Sequence, residues 1–134
     1  MNIMNKIYDY LKKVKVFYLA SQDGDQVRVR PLGALAEFEG RIYIVTSKEK
    51  DVYKQIKKNP KVEVSAFDGK TWIRLTGVLE EDGRLEAREE MMKQNKETLE
   101  NMYSVDDGKM TVLYFKEGEG VFSTFAGDRE VVEI

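Results

Sequence analysis

Two short stretches carry the side chains best suited to bind a ligand. Residues 26–31 read Gln-Val-Arg-Val-Arg-Pro, and this places Arg28 and Arg30 on one face of a predicted strand. A guanidinium can donate paired hydrogen bonds to a phosphate or to a ring carbonyl. A solvated strand face with ion pairs to nearby acids is the simpler alternative, and the spacing alone favours it.

The second stretch, residues 46–50, reads Thr-Ser-Lys-Glu-Lys. Thr46 and Glu49 have the spacing of a capping box, which opens a helix. The free N–H groups and the positive dipole end of a helix N-terminus attract phosphate. Lys48 and Lys50 are unusual there because a first helical turn favours acids, and a bound anion would remove the conflict. A plain capping box with both lysines in water is an equally good interpretation.

The only tryptophan, Trp72, lies on a predicted strand in which Trp72, Arg74 and Thr76 alternate with Ile73 and Leu75. The indole and the guanidinium therefore share a half-polar face. This combination suits contact with a flat ligand. An anchor in a protein interface and a core tryptophan remain open, and the spacing slightly favours the core.

Composition limits the chemistry that this chain can perform. It has 134 residues, with no cysteine and no histidine, so thiol chemistry, imidazole acid–base chemistry and the commonest metal ligand are absent. Any chemistry is then expected to depend on a bound organic cofactor. We expect no metal site, and the net charge of −2 argues against nucleic acid as the main partner.

Length and apolar runs predict a cytoplasmic protein with a single domain over residues 1–134. The lack of cysteine suits a reducing compartment. The longest apolar run, residues 16–20, is too short to span a membrane, and the N-terminus has no apolar core of signal-peptide length.

Periodicity and turn residues predict three helices and six or seven strands. The first helix is expected at 3–14 and the third at 84–103. The second is expected to run from the capping box at Thr46 to Asn59-Pro60. The strands are expected at 14–20, 26–31 with an extended continuation over 32–38, 41–46, 62–67, 71–79, 110–115 and 121–125, with a short final strand at 130–134. Tight turns such as Asp23-Gly24 make neighbouring strands antiparallel, so we predict a mainly β fold that closes as a small barrel with peripheral helices.

The same patterns predict which side chains are buried. Val27 and Val29 alternate with the two arginines and are expected to enter the core. The helix over 84–103 is expected to bury one side, formed by Leu85, Met92, Leu99 and Met102. The acid-rich segment 80–90 reads as the solvated, salt-bridged face of a helix.

Five stretches, in this order, resemble the pyridoxamine 5′-phosphate oxidase-like family of FMN-binding split barrels, in particular its short general-stress and nitroimidazole-resistance (Nim) branch. They are residues 17–21, 23–31, 43–46, 50–60 and 72–77, and the resemblance covers nearly the whole chain. It implies an antiparallel split β-barrel and a homodimer with two FMN sites at the subunit interface.

The resemblance also implies which residues bind the cofactor. In the family pattern one strand lies along the isoalloxazine ring, one segment binds the phosphate, and one strand closes the site from the other subunit. The strand along the ring corresponds here to Arg28, Val29, Arg30 and Pro31. The phosphate segment corresponds to Thr46, Ser47 and Lys50, with Arg28 or Lys48 assisting. The closing strand corresponds to Trp72 and Arg74.

The function that the resemblance implies is that of an FMN-dependent oxidoreductase with an unknown small-molecule substrate and unknown catalytic residues. A non-catalytic flavin carrier or sensor, or a deazaflavin-binding relative, is the alternative. Pyridoxamine phosphate oxidases carry a longer C-terminal segment, whereas this chain ends at Ile134, so we do not expect that oxidase activity. Nim proteins are associated with a histidine near the flavin, which this chain lacks together with the usual haem ligand.

Overall fold

The computed structural model describes residues 5–134, so the start of the helix predicted over 3–14 lies outside the described residues. Within that range the chain forms four helices and eight strands. In chain order they are α1 (Lys6–Val14), β1 (Phe17–Asp23), β2 (Gln26–Leu32), β3 (Leu35–Phe38), β4 (Arg41–Ser47), α2 (Asp51–Lys58), β5 (Lys61–Phe67), β6 (Thr71–Asp82), α3 (Leu85–Gln94), α4 (Lys96–Leu99), β7 (Met110–Thr124) and β8 (Arg129–Glu133).

The strands form one antiparallel sheet in the order β2-β1-β5-β6-β7-β4-β3, with β8 paired to β7. The two ends of this order, β2 and β3, are consecutive in the chain and are separated only by residues 33 and 34. The sheet therefore curls back on itself, because such a short connection must bring its two ends together. The predicted mainly β, antiparallel architecture with peripheral helices is confirmed.

Side-chain alternation along β4 and its neighbours divides the interior into two hydrophobic clusters. Ile42 and Ile44 belong to the larger cluster inside the curled sheet, which α1 seals with Ile7 and Leu11. The intervening Tyr43 belongs to a second cluster, between the sheet and the helices α3 and α4. α2 adds Val52 and Ile56 to the first cluster.

The single helix predicted over 84–103 is wrong, because the chain breaks it at Asn95. The side-chain amide of Asn95 donates to the carbonyls of Leu35 and Met91, at 2.9 Å and 3.2 Å, and so ties the end of α3 to β3. Two residues of the predicted buried side are exposed, namely Leu85 (43%) and Met102 (58%).

The two strands predicted at 110–115 and 121–125 form one continuous strand, β7. The intervening Gly118 and Gly120 do not turn the chain. They allow close approach, because a Cβ atom on Gly120 would lie 2.8 Å from the Cδ1 atom of Ile7 in α1. Glycine residues can mark such packing sites within strands as well as turns.

Strand β6 ends with three consecutive carboxylates, Glu80, Glu81 and Asp82. The prediction that residues 80–90 form the solvated face of a helix is wrong for these three residues. Glu80 accepts a hydrogen bond from the hydroxyl of Tyr114, on the neighbouring strand β7. Glu81 and Asp82 are bonded to several side chains each, and Asp82 is buried. These carboxylates therefore fasten β6 to adjacent elements and are not a free acidic surface.

Asp82 is the most deeply buried of the three and holds a network across three elements. It accepts hydrogen bonds from the Tyr43 hydroxyl at 2.7 Å and from the Arg84 Nη2 atom at 2.9 Å. Arg84 also donates to Glu39, in the β3–β4 turn, at 2.7 Å. The hydrogen bond from Arg84 lowers the pKa of Asp82 to about 2, whereas burial raises the pKa of Tyr43 and keeps its hydroxyl a donor.

The Asp82 network predicts a loss of stability in acid. The folded-state pKa of about 2 lies below the ordinary value of 3.8, so the contribution of the carboxylate is complete above pH 3.8 and disappears as the pH falls through about 2. We expect Asp82→Asn to lower the free energy of unfolding by about 1–3 kcal/mol near neutral pH and to lose less stability on acidification than the wild type.

Urea denaturation followed by tryptophan fluorescence, at neutral and at acidic pH, measures both effects. Asp25→Asn, an exposed aspartate in the β1–β2 turn, is the control and should match the wild type. Equal stability of Asp82→Asn and wild type at neutral pH would show that the network contributes nothing.

Candidate functional site

The register between β1 and β2 places the two arginines on the inner side of the sheet. Arg30 pairs with Leu19 and Arg28 with Ser21, and both partners on β1 are buried. Cross-strand partners share a face, so Val27 and Val29 must point outward. Their exposed fractions are 56% and 66%. The prediction that these valines enter the core is wrong, because alternation alone does not say which face is inside.

Arg30 is half-buried and surrounded by neutral oxygen atoms. Its Nη1 atom donates to the Ser21 hydroxyl at 2.8 Å and to the Leu19 carbonyl at 3.1 Å. Its Nη2 atom donates to the Gln55 Oε1 atom at 2.9 Å. Desolvation lowers the pKa of the guanidinium. No carboxylate among residues 5–134 pairs with Arg30, so its charge is not compensated within that range.

Arg28 behaves differently from Arg30, although both lie on the same face. Its Nε atom donates to the Asp23 Oδ2 atom at 3.1 Å, and both side chains are about half exposed. Exposed pairs of this kind contribute little to stability. The solvated ion pair that the spacing favoured therefore describes Arg28, whereas it does not describe Arg30.

β2 is an end strand of the sheet, so one row of its backbone N–H and C=O groups has no strand partner. Val29 and Pro31 lie on this strand and are exposed. Pro31 has no N–H group, and it therefore offers only a carbonyl. A planar ligand lying along the edge could use the remaining backbone groups of residues 28–31 for hydrogen bonds.

The predicted capping box of Thr46 and Glu49 is wrong, because the chain stays extended for longer than expected. Thr46 and Ser47 are the last residues of β4, and both are buried. The Ser47 hydroxyl accepts a hydrogen bond from the Glu49 N–H at 3.1 Å, and the Ser47 carbonyl accepts one from the Lys50 N–H at 3.0 Å. These bonds form a tight turn between β4 and α2, and the helix itself begins at Asp51.

The N-terminus of α2 has features of an anion site. Its N-cap residue is Lys50, and no side chain caps the first helical N–H groups. Lys48 and Lys50 are exposed, and neither forms an ion pair within residues 5–134. Two unpaired lysines and free N–H groups therefore meet at one helix end, beside the acidic Glu49 and Asp51, and these lysines and N–H groups favour a bound phosphate.

α2 brings the arginine strand and the turn together. Gln55, which binds Arg30, is nine-tenths buried and lies four residues after Asp51, about 6 Å along the helix axis. The buried Ser21 hydroxyl completes this contact by donating to the Gln55 Oε1 atom at 2.6 Å. The uncompensated guanidinium and the uncapped helix end are thus attached to one short helix.

Trp72 and Arg74 lie on the opposite side of the sheet from Arg30. Arg74 pairs with Ser65, Ser65 with Tyr18, and Tyr18 with Pro31, so this row crosses the outer side of the sheet. Trp72 is half-buried against the ring of Phe125, at a centroid distance of 5.1 Å. It is therefore not a core tryptophan, and its predicted shared face with Arg74 is confirmed.

The outer face of β2, β1, β5, β6, β7 and β8, called here the outer sheet face, exposes large apolar side chains. They include Tyr18 (49%), Val27 (56%), Val29 (66%), Phe67 (55%) and Val131 (48%), with Phe125 (78%) beside Trp72. Its β2–β1–β5 part holds a cavity of about 480 Å³. A charged cleft of about 600 Å³ lies elsewhere, between α2 and the β1–β2 hairpin.

Within one chain the predicted site residues therefore divide into two groups, and Arg28, which pairs with Asp23, belongs to neither. Arg30 and the turn of Thr46, Ser47, Lys48 and Lys50 are connected through α2, whereas Val29, Pro31, Trp72 and Arg74 belong to the outer sheet face. The sequence analysis missed Ser21 and Gln55. A polar residue at a core position of the Phe17, Leu19, Ser21 alternation, and another between Val52 and Ile56, were the available signals.

Residues 5–134 contain neither a cluster of metal ligands nor a membrane-spanning helix. No group of three or more potential metal-ligating side chains lies together. No helix in that range has the length and apolar character needed to cross a membrane.

Comparison with known proteins is consistent with this architecture. The model of the family described as pyridoxamine 5′-phosphate oxidase like matches residues 2–128, whereas no curated protein matches the chain. A NimC/NimA family protein from Clostridium acetobutylicum is 45% identical, with a TM-score of 0.92, over 96% of this chain and 91% of that protein.

Two more distant structures share the fold and differ in the ligand that their names state. A pyridoxamine 5′-phosphate oxidase-related, FMN-binding protein from Nostoc punctiforme is 12% identical, with a TM-score of 0.63, over 95% of this chain and 91% of that protein. A haem-binding protein from Mycobacterium smegmatis is 11% identical, with a TM-score of 0.70, over 96% of this chain and 58% of that protein. The expected split-barrel fold is confirmed, and the chain belongs to the pyridoxamine 5′-phosphate oxidase like family.

Proposed function

We propose that this protein binds FMN and uses it as an oxidoreductase acting on a small molecule. The observation that carries the proposal is the combination of an uncompensated Arg30 guanidinium with the uncapped start of α2. A half-buried cation and free helical N–H groups together favour a phosphate. Membership of a family with an FMN-binding relative supports the choice of a flavin mononucleotide.

The phosphate would be held at the turn between β4 and α2. Lys48 and Lys50 supply positive charge, Thr46 and Ser47 supply hydroxyls, and Arg30 reaches α2 through Gln55. The free backbone edge of residues 28–31 would accept the ring system. These residues fit the group, because Lys48 and Lys50 carry charges without an ion pair among the described residues, and Thr46 and Ser47 carry hydroxyls.

A second copy of the chain would cover the outer sheet face. Exposed apolar side chains on this scale are typical of an interface, and they surround Trp72 and Arg74. Within one chain the latter two residues are separated by the sheet from Arg30. A homodimer resolves this separation, since Trp72 and Arg74 of one copy would close the cofactor site of the other.

FMN supplies electron transfer when bound, and the residues of this chain bind it and set its surroundings. The positive side chains of Arg28 and Arg30 would favour a reduced, anionic cofactor. Fixed positive charge stabilises negative charge in a site from which water is partly excluded. No histidine or cysteine is present to transfer protons. This absence favours one alternative, a flavin carrier or sensor without turnover.

A titration with FMN tests the proposal. The protein is purified, its visible spectrum is recorded, and FMN is added while Trp72 fluorescence is followed. We expect saturable binding of one FMN per chain with quenching of the indole, because the proposed site lies against Trp72 of the second copy. A colourless protein that takes up no added FMN would refute the proposal.

Reduced nicotinamide nucleotides and an electron acceptor then separate the two candidate functions. Repeated reduction and reoxidation of the flavin indicates an oxidoreductase, whereas a flavin that binds but does not turn over indicates a carrier or sensor.

Lys50→Ala tests the phosphate turn. We expect FMN binding to weaken by about 1–3 kcal/mol, since a charge-assisted hydrogen bond is lost, with little change in the stability of the apoprotein. Isothermal titration calorimetry gives the affinity and thermal unfolding gives the stability. Lys12→Ala removes an exposed lysine of α1 and should leave both unchanged. If Lys50→Ala lowers the stability of the apoprotein strongly while the FMN affinity of the folded protein holds, Lys50 has a structural role.

A further inference from the structure

The position of α2 depends on its contacts with the rest of the protein. The helix has eight residues and no side-chain cap, and isolated helices of this length are unstable in water. Val52 and Ile56 attach it to the core, and Gln55 attaches it to Ser21 and Arg30. A further contact of α2, through Tyr53 and Lys57, has no part in the proposed cofactor site.

Tyr53 and Lys57 both donate to one carboxylate, that of Glu81 on β6. The Glu81 Oε1 atom accepts from the Tyr53 hydroxyl at 2.8 Å and from the Lys57 Nζ atom at 3.2 Å. The two donors are four residues apart, so they lie on the same face of the helix. Glu81 is only 16% exposed, whereas Lys57 is 52% exposed.

The second oxygen of the same carboxylate reaches β7. Glu81 Oε2 accepts a hydrogen bond from the Thr111 hydroxyl, and Thr111 pairs across the sheet with Thr46 at the end of β4. Burial alone would raise the pKa of Glu81, but the bonds from Thr111, Tyr53 and Lys57 outweigh burial and lower it. Glu81 therefore stays charged and joins α2 to the strand pair from which the turn begins.

We propose that Glu81 is a positioning residue that fixes α2 so that the turn of Lys48 and Lys50 and the first helical N–H groups face a phosphate together. Glu81 itself touches no ligand in this account. Its influence on the phosphate rests on the proposed FMN function, whereas its hold on α2 does not.

Glu81→Gln tests the hold on α2 in the apoprotein. Glutamine keeps the length of the side chain but loses the charge and one acceptor oxygen, so α2 should open more often. We expect hydrogen exchange of the backbone amides in α2 to rise about tenfold. Glu80→Gln is a matched control, because Glu80 bonds Tyr114 and Lys116 on β7 and does not contact α2. Unchanged exchange in Glu81→Gln would overturn the proposal.

Comparing FMN with riboflavin, which lacks the phosphate, tests the effect on binding. We expect Glu81→Gln to bind FMN about tenfold more weakly, at a temperature well below unfolding, while its affinity for riboflavin stays that of the wild type. Equal losses for both ligands, or no loss for FMN, would overturn the link between Glu81 and the phosphate turn. If the wild type binds neither ligand, the FMN proposal fails and the exchange data alone decide whether Glu81 fixes α2.

Tyr53→Phe is the milder second variant, for the case that Glu81→Gln does not fold. It removes one donor to Glu81 and leaves the carboxylate and Lys57 in place. The proposal is supported if hydrogen exchange in α2 rises by a smaller factor and the affinity for FMN falls while the affinity for riboflavin stays that of the wild type. Exchange and affinities equal to those of the wild type contradict it.

Discussion

The register between β1 and β2 is the constraint on which the candidate site depends. It pairs Arg30 with Leu19 and thereby sends the guanidinium inward, to Ser21 and Gln55, while Val27 and Val29 point outward. A shift by one residue would reverse both faces. The same register therefore places the uncompensated guanidinium of Arg30 on the inner side of the sheet and leaves an apolar surface on its outer side.

α2 links this inner cation to the rest of the site. The helix lacks a side-chain cap at its start. Its Gln55 bonds Arg30 on one side, and its Tyr53 bonds Glu81 on another. Polar groups at such buried positions are costly unless they are bonded, and here Ser21, Gln55 and Glu81 are all bonded. Their hydrogen bonds orient a short helix whose own stability is too small to hold it.

Sequence patterns predicted most of the strands along the chain and the antiparallel arrangement of neighbouring strands, since these follow from local periodicity and turn residues. They also predicted that Arg28 and Arg30 share a face, but not that this face is the inner one, because that depends on pairing with Ser21 in β1. Asn95 broke a helix that its charged neighbours favoured, since its side chain bonds a distant carbonyl, that of Leu35. The carboxylates of β6 were predicted to be solvated for the same reason, because their tyrosine and threonine partners are far away in the chain.

The proposed cofactor site is complete only if the outer sheet face is buried between two copies of the chain. Light scattering coupled to gel filtration, on the wild type and on Val29→Asp, tests it most directly. The outward Val29 is 66% exposed in one chain, so a charge there would cost little on a free surface but would separate an apolar interface. We predict the mass of two chains for the wild type and of one chain for the variant. A monomeric wild type, or a variant that stays dimeric, would contradict the account.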